Sequence, residues 1–207
     1  MRERKGILNN IDWTSILLFL LLAVIGWVNI YAAVYNDEHS SIFDFSQRYG
    51  KQLIWIFAAL AIAFIIIVVD ASFFRNFAYI IYGISILSLI AVLAIGTEIA
   101  GSKSWFQFGG IAIQPAEFAK FATCLALARY LSSFNASLKR FKTRVIAGMI
   151  ILMPAGLVLL QNDTGSALVY AIFILVLFRE GLTGNILVVG LVVAFLFVVT
   201  LLVNKLY

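Results

Sequence analysis

Ionisable and polar side chains stand among apolar ones in residues 101–120, GSKSWFQFGGIAIQPAEFAK. This segment begins as a glycine-rich loop that carries Lys103 and Trp105. A Gln114-Pro115 step then opens a new apolar run. Proline costs little in the first turn of a helix, because the N–H groups there have no intrahelical partner. We therefore predict a loop followed by a helix that begins at Pro115.

Glu117 and Lys120 lie a few residues inside this predicted helix. A spacing of three residues puts both side chains on one helical face, close enough to pair. Ionisable groups near membrane depth are costly, and by default they are candidates for function. The pair can equally serve as an internal ion pair that joins helices. The residues alone leave that structural role open, beside a substrate-handling or proton-handling role.

A second polar segment, QNDTGSA at residues 161–167, interrupts another apolar run. Its Asp163 stands where a helix begins, and Asp-Thr-Gly-Ser is typical of a helix N-cap. Gln161 and Asn162 make this turn unusually polar for a membrane surface, so a functional role stays open as well. The glycines at 101–110 lack the G-x-x-x-x-G-K-[ST] spacing of a nucleotide-binding loop.

The composition indicates an integral membrane protein. Of 207 residues, 63% are apolar and 12% are charged, and the mean hydropathy is +1.04. A soluble domain carries about 25% charged residues. The net charge of +5 does not indicate a nucleic-acid partner, because the basic residues cluster at the ends of apolar runs. Cys124 is the single cysteine, and His39 has no neighbouring ligands, so we predict no disulfide and no metal site. No cofactor is predicted, and a divalent cation is left open.

The apolar runs predict an all-α, polytopic bundle of transmembrane helices. At about 1.5 Å per residue, each run is long enough to cross a hydrocarbon core of about 30 Å. The seven predicted spans are residues 12–35, 52–69, 77–96, 115–131, 145–160, 164–178 and 182–203. A short turn is expected at residues 71–76. We predict one integral membrane domain over residues 1–207, with an outer functional loop at 97–114 and a basic cytoplasmic loop at 132–144.

The distribution of basic residues predicts the orientation, because lysine and arginine favour cytoplasmic loops. With a cytoplasmic N-terminus, the inner side holds Arg2, Arg4, Lys5, Arg75, Arg129, Lys139, Arg140, Lys142, Arg144 and Arg179. The outer side then holds only Arg48, Lys51, Lys103 and Lys205. The bias predicts a multi-pass protein of the cytoplasmic membrane with both polar segments on its outer face.

Both polar segments resemble motifs of the SEDS family (shape, elongation, division and sporulation). GSKSWFQFGGIAIQPAEFAK is similar to the family's G-x-K/R-x-W … Q-P-S-E-x-x-K signature, and QNDTGSA is similar to its Q-P-D-x-G-T/S-A turn. The motifs have the family's order and separation, with a basic inner loop between them. Ala116 stands where Ser is usual, and Asn162 where Pro is usual. Neither departure removes an ionisable group, so we expect an effect on helix entry without loss of role.

The resemblance covers essentially the whole chain and implies the first seven of the family's ten spans. It implies a peptidoglycan glycosyltransferase that polymerises lipid II outside the cytoplasmic membrane, with a class B penicillin-binding protein as partner. By position, the residues that fall on the family's functional motifs are Lys103, Trp105, Gln114, Glu117, Lys120 and Asp163. The family's catalytic aspartate lies after the seventh span, beyond Tyr207, so no catalytic residue is assigned here. We expect an N-terminal fragment that is inactive alone.

Two other functions remain open on the sequence. The intramembrane charges are also typical of a flippase or transporter for lipid-linked precursors. A non-catalytic membrane scaffold for the penicillin-binding protein is the second alternative. Polymerisation of lipid II without vesicles distinguishes an enzyme from a transporter, and partner binding without polymer identifies a scaffold.

Overall fold

The computed structural model describes residues 12–35, 41–108, 111–133 and 136–206. Two compact units are present, one on each side of the bond between Asp70 and Ala71. The predictions for His39 and for the basic N-terminal residues lie outside the described residues. The prediction of one membrane domain over the chain stays a prediction.

The first unit contains two long apolar helices, α1 (Trp13–Val34) and α2 (Arg48–Val68). The end of α1 is joined to the start of α2 by the indole N–H of Trp27, which donates to the carbonyl of Tyr49 over 3.0 Å. The Tyr49 ring is buried and meets the Tyr31 ring edge-on, with 5.0 Å between the ring centroids. Aromatic side chains with polar tips thus hold the two helices together at one end.

The sequence places the start of α1 correctly. The carboxylate of Asp12 accepts hydrogen bonds from the backbone N–H groups of Thr14 and Ser15, at 3.1 and 3.2 Å. These bonds satisfy two of the N–H groups that a helix leaves unpaired at its start. Asp12 is therefore the N-cap of α1, at the first residue of the span predicted for residues 12–35.

The second unit contains three long helices, a small sheet and an interrupted helix followed by another long one. Its helices are α3 (Ala71–Ile95), α4 (Pro115–Leu131), α5 (Phe141–Leu160), α6 (Thr164–Val169), α7 (Phe173–Arg179) and α8 (Gly184–Leu206). A 3-10 turn, Tyr170–Ile172, joins α6 to α7. The strands β1 (Thr97–Ile99), β2 (Ser102–Phe108) and β3 (Ile111–Ile113) form an antiparallel sheet in that order between α3 and α4.

Small residues form the buried face of α4, which packs against α3 and α5. The alanines on this face recur every three or four residues and are almost completely buried. They are Ala116, Ala119, Ala122 and Ala126. Alanine lets helix backbones approach closely, as is common where helices meet in membranes. The hydroxyl of Tyr82 on α3 also donates to the carbonyl of Ile150 on α5 over 3.0 Å, so α3 and α5 are joined directly.

The predicted helical class is confirmed, and helical residues occupy most of each of the seven predicted spans. The helices α1, α2, α3 and α5 are long and apolar enough to cross a bilayer, whereas α4 has 17 residues. The number of spans stays a prediction. The turn expected at residues 71–76 is wrong, because α3 already begins at Ala71. That segment contains no glycine or proline that would interrupt a helix.

The segment expected as a glycine-rich outer loop folds into the three-stranded sheet. The β1–β2 connection has two central residues, Ala100 and Gly101, with φ angles of 53° and 82°. Positive φ at both positions is what a type I′ hairpin turn requires, and glycine adopts it readily. At the other predicted loop, α5 begins at Phe141, so Lys142 and Arg144 lie in a helix.

Cysteine labelling tests the orientation that the basic residues predict. Ser104 is fully buried, so exposed Gln107 in the sheet is the better outer position, and exposed Ser133 is the inner one. Because native Cys124 is exposed, both variants need a Cys124→Ser background. A membrane-impermeant maleimide added to intact cells should label Gln107→Cys. Ser133→Cys should react only after the membrane is opened, and the reverse pattern would overturn the orientation.

Candidate functional site

The buried side chain of Gln161 connects three elements of the second unit. Its amide nitrogen donates to the carbonyl of Leu89 on α3 over 3.1 Å. Its backbone carbonyl accepts from the N–H of Lys103 and from the hydroxyl of Ser102, both at 3.1 Å. The turn after α5 is thereby fixed to α3 and to β2. Sequence reasoning gave Gln161 no role, although an amide at the end of an apolar helix was the available signal.

Gln114 and Asp163 bring the two sequence motifs into direct contact. The Gln114 amide donates to one carboxylate oxygen of Asp163 over 2.5 Å. The other carboxylate oxygen accepts from the N–H of Ser166 over 3.0 Å. Asp163 therefore caps α6, as its sequence context predicts, and at the same time it holds the residue that precedes α4. A hydrogen bond to an ionised group is stronger than a neutral one.

Lys103 and Trp105 lie on one face of β2, because side chains alternate along a strand. Ser104 between them points the other way and is fully buried. The Lys103 ammonium donates to the carbonyl of Ala94 over 3.2 Å, in the last turn of α3, where the helix dipole favours a cation. Both side chains remain partly exposed. This face of the sheet therefore carries a cation and an aromatic ring side by side.

The predicted pairing of Glu117 with Lys120 is confirmed. The Lys120 ammonium lies 2.8 Å from a carboxylate oxygen of Glu117. The Glu117 side chain is 56% exposed and that of Lys120 is 22% exposed. The pair forms within α4, away from its alanine face, so it does not join two of the described helices. Lys103 does not take part in this pair, because its ammonium donates to the carbonyl of Ala94. The two lysines therefore have separate partners.

Asn162 gives the turn after α5 a backbone that proline cannot adopt. Its φ is 60°, in the left-handed region that asparagine tolerates. Its N–H also donates to the carbonyl of Leu159 over 3.0 Å. Proline has a φ fixed near −65° and no N–H. Proline therefore could not occupy this position with the same backbone, while Asp163 still caps α6.

No metal cluster is found in the part of the chain that the structure describes: no three His, Cys, Asp or Glu side chains are grouped there. The chemistry available at the site is that of Lys103, Trp105, the Gln114–Asp163 bond and the Glu117–Lys120 pair.

The fold and the site define a polytopic helical membrane protein whose polar motifs meet at one end of a helix group. Residues 12–207 match the family model for FtsW, RodA and SpoVE, described as cell cycle proteins. The chain belongs to this family. The family predicted from the two sequence motifs is therefore confirmed.

Named relatives and solved structures agree with this assignment. The chain is 36% identical to the peptidoglycan glycosyltransferase RodA of Treponema pallidum over 176 residues, covering 84% of this chain and 39% of the relative. It is 29% identical to the peptidoglycan glycosyltransferase MrdB of Escherichia coli K12, covering 91% and 49%. The crystal structure of Thermus thermophilus RodA superposes with a TM-score of 0.77 at 31% identity, covering 91% and 60%.

A second solved structure is described as the structural coordination of polymerization and crosslinking by a peptidoglycan synthase complex. It superposes with a TM-score of 0.75 at 32% identity and covers 96% of this chain and 56% of that one. The chain thus spans about half the length of the curated relatives that it matches.

The contact between the motifs is testable by a double-mutant cycle. We expect Gln114→Ala and Asp163→Ala each to lower stability, with a coupling energy of about 1–2 kcal/mol between them, because they share a charged hydrogen bond. The measurement is the free energy of unfolding of the purified chain in mixed micelles. Asp12→Ala is the control, since it removes another cap, and its effect should add to that of Gln114→Ala. Additive effects for Gln114 and Asp163 would contradict the contact.

The ion pair in α4 is testable by comparing single and double substitutions. Glu117→Ala leaves Lys120, whose side chain is 22% exposed, without its partner, and an isolated charge at membrane depth is costly. We expect Glu117→Ala to lower membrane abundance more than Glu117→Ala/Lys120→Met, as measured by quantitative immunoblotting. The exchanged pair Glu117→Lys/Lys120→Glu is the control and should keep abundance. Equal losses in the single and double variants would show that the pairing contributes nothing to stability.

Proposed function

We propose that the chain belongs to a peptidoglycan glycosyltransferase that polymerises lipid II on the outer face of the cytoplasmic membrane. The observation that carries the proposal is the bond between Gln114 and Asp163, which joins the two family motifs into one site. Relatives named peptidoglycan glycosyltransferases in Treponema pallidum and Escherichia coli support it. The proposal includes a multi-pass topology with a cytoplasmic N-terminus, which follows from the distribution of basic residues.

Lys103 is the residue best suited to bind the pyrophosphate of a lipid-linked sugar. Glycosyl transfer from such a donor releases a pyrophosphate, and its developing charge needs preorganised cationic groups. Lys103 is partly exposed and contacts a neutral carbonyl, so its positive charge is available to a ligand. Lys120, by contrast, is already paired with Glu117. Lys103 is therefore assigned to the pyrophosphate.

Trp105 supplies a flat apolar surface next to that cation. Both side chains project from the same face of β2, two residues apart. An indole ring packs well against the apolar face of a sugar, while the lysine holds the charged end of the same ligand. Trp105 is accordingly assigned to the sugar, and the backbone bonds of Gln161 hold β2 in place for both contacts.

A class B penicillin-binding protein is the proposed partner. The solved peptidoglycan synthase complex that resembles this chain is described as coordinating polymerization with crosslinking. Crosslinking follows polymerisation in time, so a partner that crosslinks strands belongs next to the site where the strands are made. No catalytic residue is assigned within residues 1–207, because the resemblance places the family's aspartate outside them.

Polymerisation by the wild type tests the proposed function, and substitution of Lys103 tests the role assigned to that residue. The full-length protein is purified with its penicillin-binding partner, which carries no polymerase activity of its own, and is given labelled lipid II in detergent. We expect Lys103→Ala to lower the rate of glycan synthesis by about a hundredfold, as for loss of one transition-state donor. Lys103→Arg should retain part of the rate. Lys139→Ala, at an exposed lysine of the basic loop, is the control and should polymerise normally.

The outcomes separate the three functions. Wild-type polymer in detergent, where no membrane is available for transport, excludes a flippase as the sole activity. Partner binding without polymer would identify a scaffold and overturn the proposal. Unchanged synthesis by Lys103→Ala would overturn only the role assigned to Lys103, and the proposed function would stand. Residues 1–207 tested by themselves should give no polymer, and polymer there would place the catalytic group within this chain.

A further inference from the structure

An apolar cavity of about 540 Å³ lies between α5, the α6–α7 segment and α8. Its volume falls within the range of about 300–1,000 Å³ that is usual for ligand sites. Along α5 it is lined from Arg144 to Leu159, a rise of about 22 Å at 1.5 Å per residue. The shape therefore fits a long flexible chain better than a compact ligand.

Arg144 is the one charged residue among the described residues that line this cavity. Its guanidinium lies 5.9 Å from the centre of the Phe141 ring. Its Nε is buried and has no hydrogen-bond partner among the residues that the structure describes. A second hollow of about 500 Å³ shares Arg144, Gly148 and Leu152 with the first. The guanidinium therefore stands at one end of an apolar channel with hydrogen-bonding capacity unused.

We infer that this cavity binds an anionic phospholipid. The phosphate contacts Arg144, and one acyl chain lies along α5. A guanidinium matches a phosphate in charge and in its paired N–H geometry, and an unsatisfied buried donor gains most from such a partner. The inference is independent of the proposed function and of Lys103, which belongs to another part of the unit.

The electrostatic contact must supply the selectivity for an anionic lipid. An acyl chain gains little from leaving the bilayer for an aliphatic cavity, because lipid tails are as apolar as leucine. Arg144 also adjoins the basic segment 139–142, and basic segments next to the membrane attract anionic lipids of the cytoplasmic leaflet. With the predicted orientation, the bound lipid belongs to that leaflet.

Two glycines define the walls of the cavity. Gly148 lines it, and a Cβ added there would meet nothing within 4 Å, so a larger side chain enters open space. At Gly190, an added Cβ would clash with the Cδ1 atom of Ile174, so α8 packs closely on α7 there. Gly148 is thus the position at which the cavity can be filled without moving the backbone.

The test is native mass spectrometry of the chain after reconstitution with equal amounts of phosphatidylglycerol and phosphatidylcholine that have the same acyl chains. We expect the wild type to retain phosphatidylglycerol preferentially. Arg144→Gln should lower that preference about tenfold, the effect of losing one charged hydrogen bond. Lys142→Gln removes the same charge from an exposed position two residues away and should change the preference little. Arg144→Lys keeps the charge and should keep part of the preference.

Filling the cavity tests the acyl-chain contact separately. Gly148→Leu should lower retention of both lipids by about tenfold, because its side chain fills space that the acyl chain would occupy. Gly156→Leu is the matched control on α5, because Gly156 also has open space but lies outside the cavity. Circular dichroism and size-exclusion chromatography establish that each variant is folded and report its oligomeric state.

Three results would overturn the inference. The first is an equal loss of preference in Arg144→Gln and Lys142→Gln, which would indicate general surface charge. The second is unchanged lipid retention in folded Gly148→Leu. The third is a variant of Arg144 or Gly148 that changes its oligomeric state without a change in bound lipid. That result would identify this face as a protein contact.

Discussion

The buried amide of Gln161 is the contact on which the arrangement of the second unit depends. Its side chain is fully enclosed and donates to the carbonyl of Leu89, in the C-terminal third of α3. That carbonyl has a second lone pair, so it accepts this bond in addition to its helical one. A buried donor left without a partner costs about 1–3 kcal/mol. The position of the α5–α6 turn against α3 is therefore tightly specified, and β2 is attached to the same residue.

Lys103 and Trp105, to which the proposed function assigns ligand contacts, are positioned by this backbone contact. The N–H of Lys103 is bonded to Gln161, and buried Ser104 follows it with its hydroxyl bonded to that of Ser102 over 2.8 Å. Once Ser104 is fixed toward the interior, alternation along the strand turns Lys103 and Trp105 to the opposite face. The cation and the indole are thus directed by neighbours that have no chemical role of their own.

The sequence predicts local features well because they depend on neighbouring residues. Pro115 at the start of α4, the caps at Asp12 and Asp163, and the Glu117–Lys120 pair all follow from spacings of one to three residues. The bond from Gln161 to Leu89 joins residues 72 positions apart, and no local pattern encodes it. The sheet was missed for a related reason: its glycines are typical of a loop, while its strands are stabilised by attachment to a distant turn.

The cost of charge in a membrane explains why the two charges on α4 are paired with each other, whereas Lys103 lies on the sheet. The buried face of α4 packs against α3 and α5 largely through alanines, so the helix can carry its two charges on another face. These charges neutralise each other within the helix, which lowers the cost of their position. The proposed function requires the charge of Lys103 to remain available to a ligand, so this cation cannot be paired in the same way. Lys103 lies instead on the sheet between α3 and α4, where its ammonium contacts the last turn of α3.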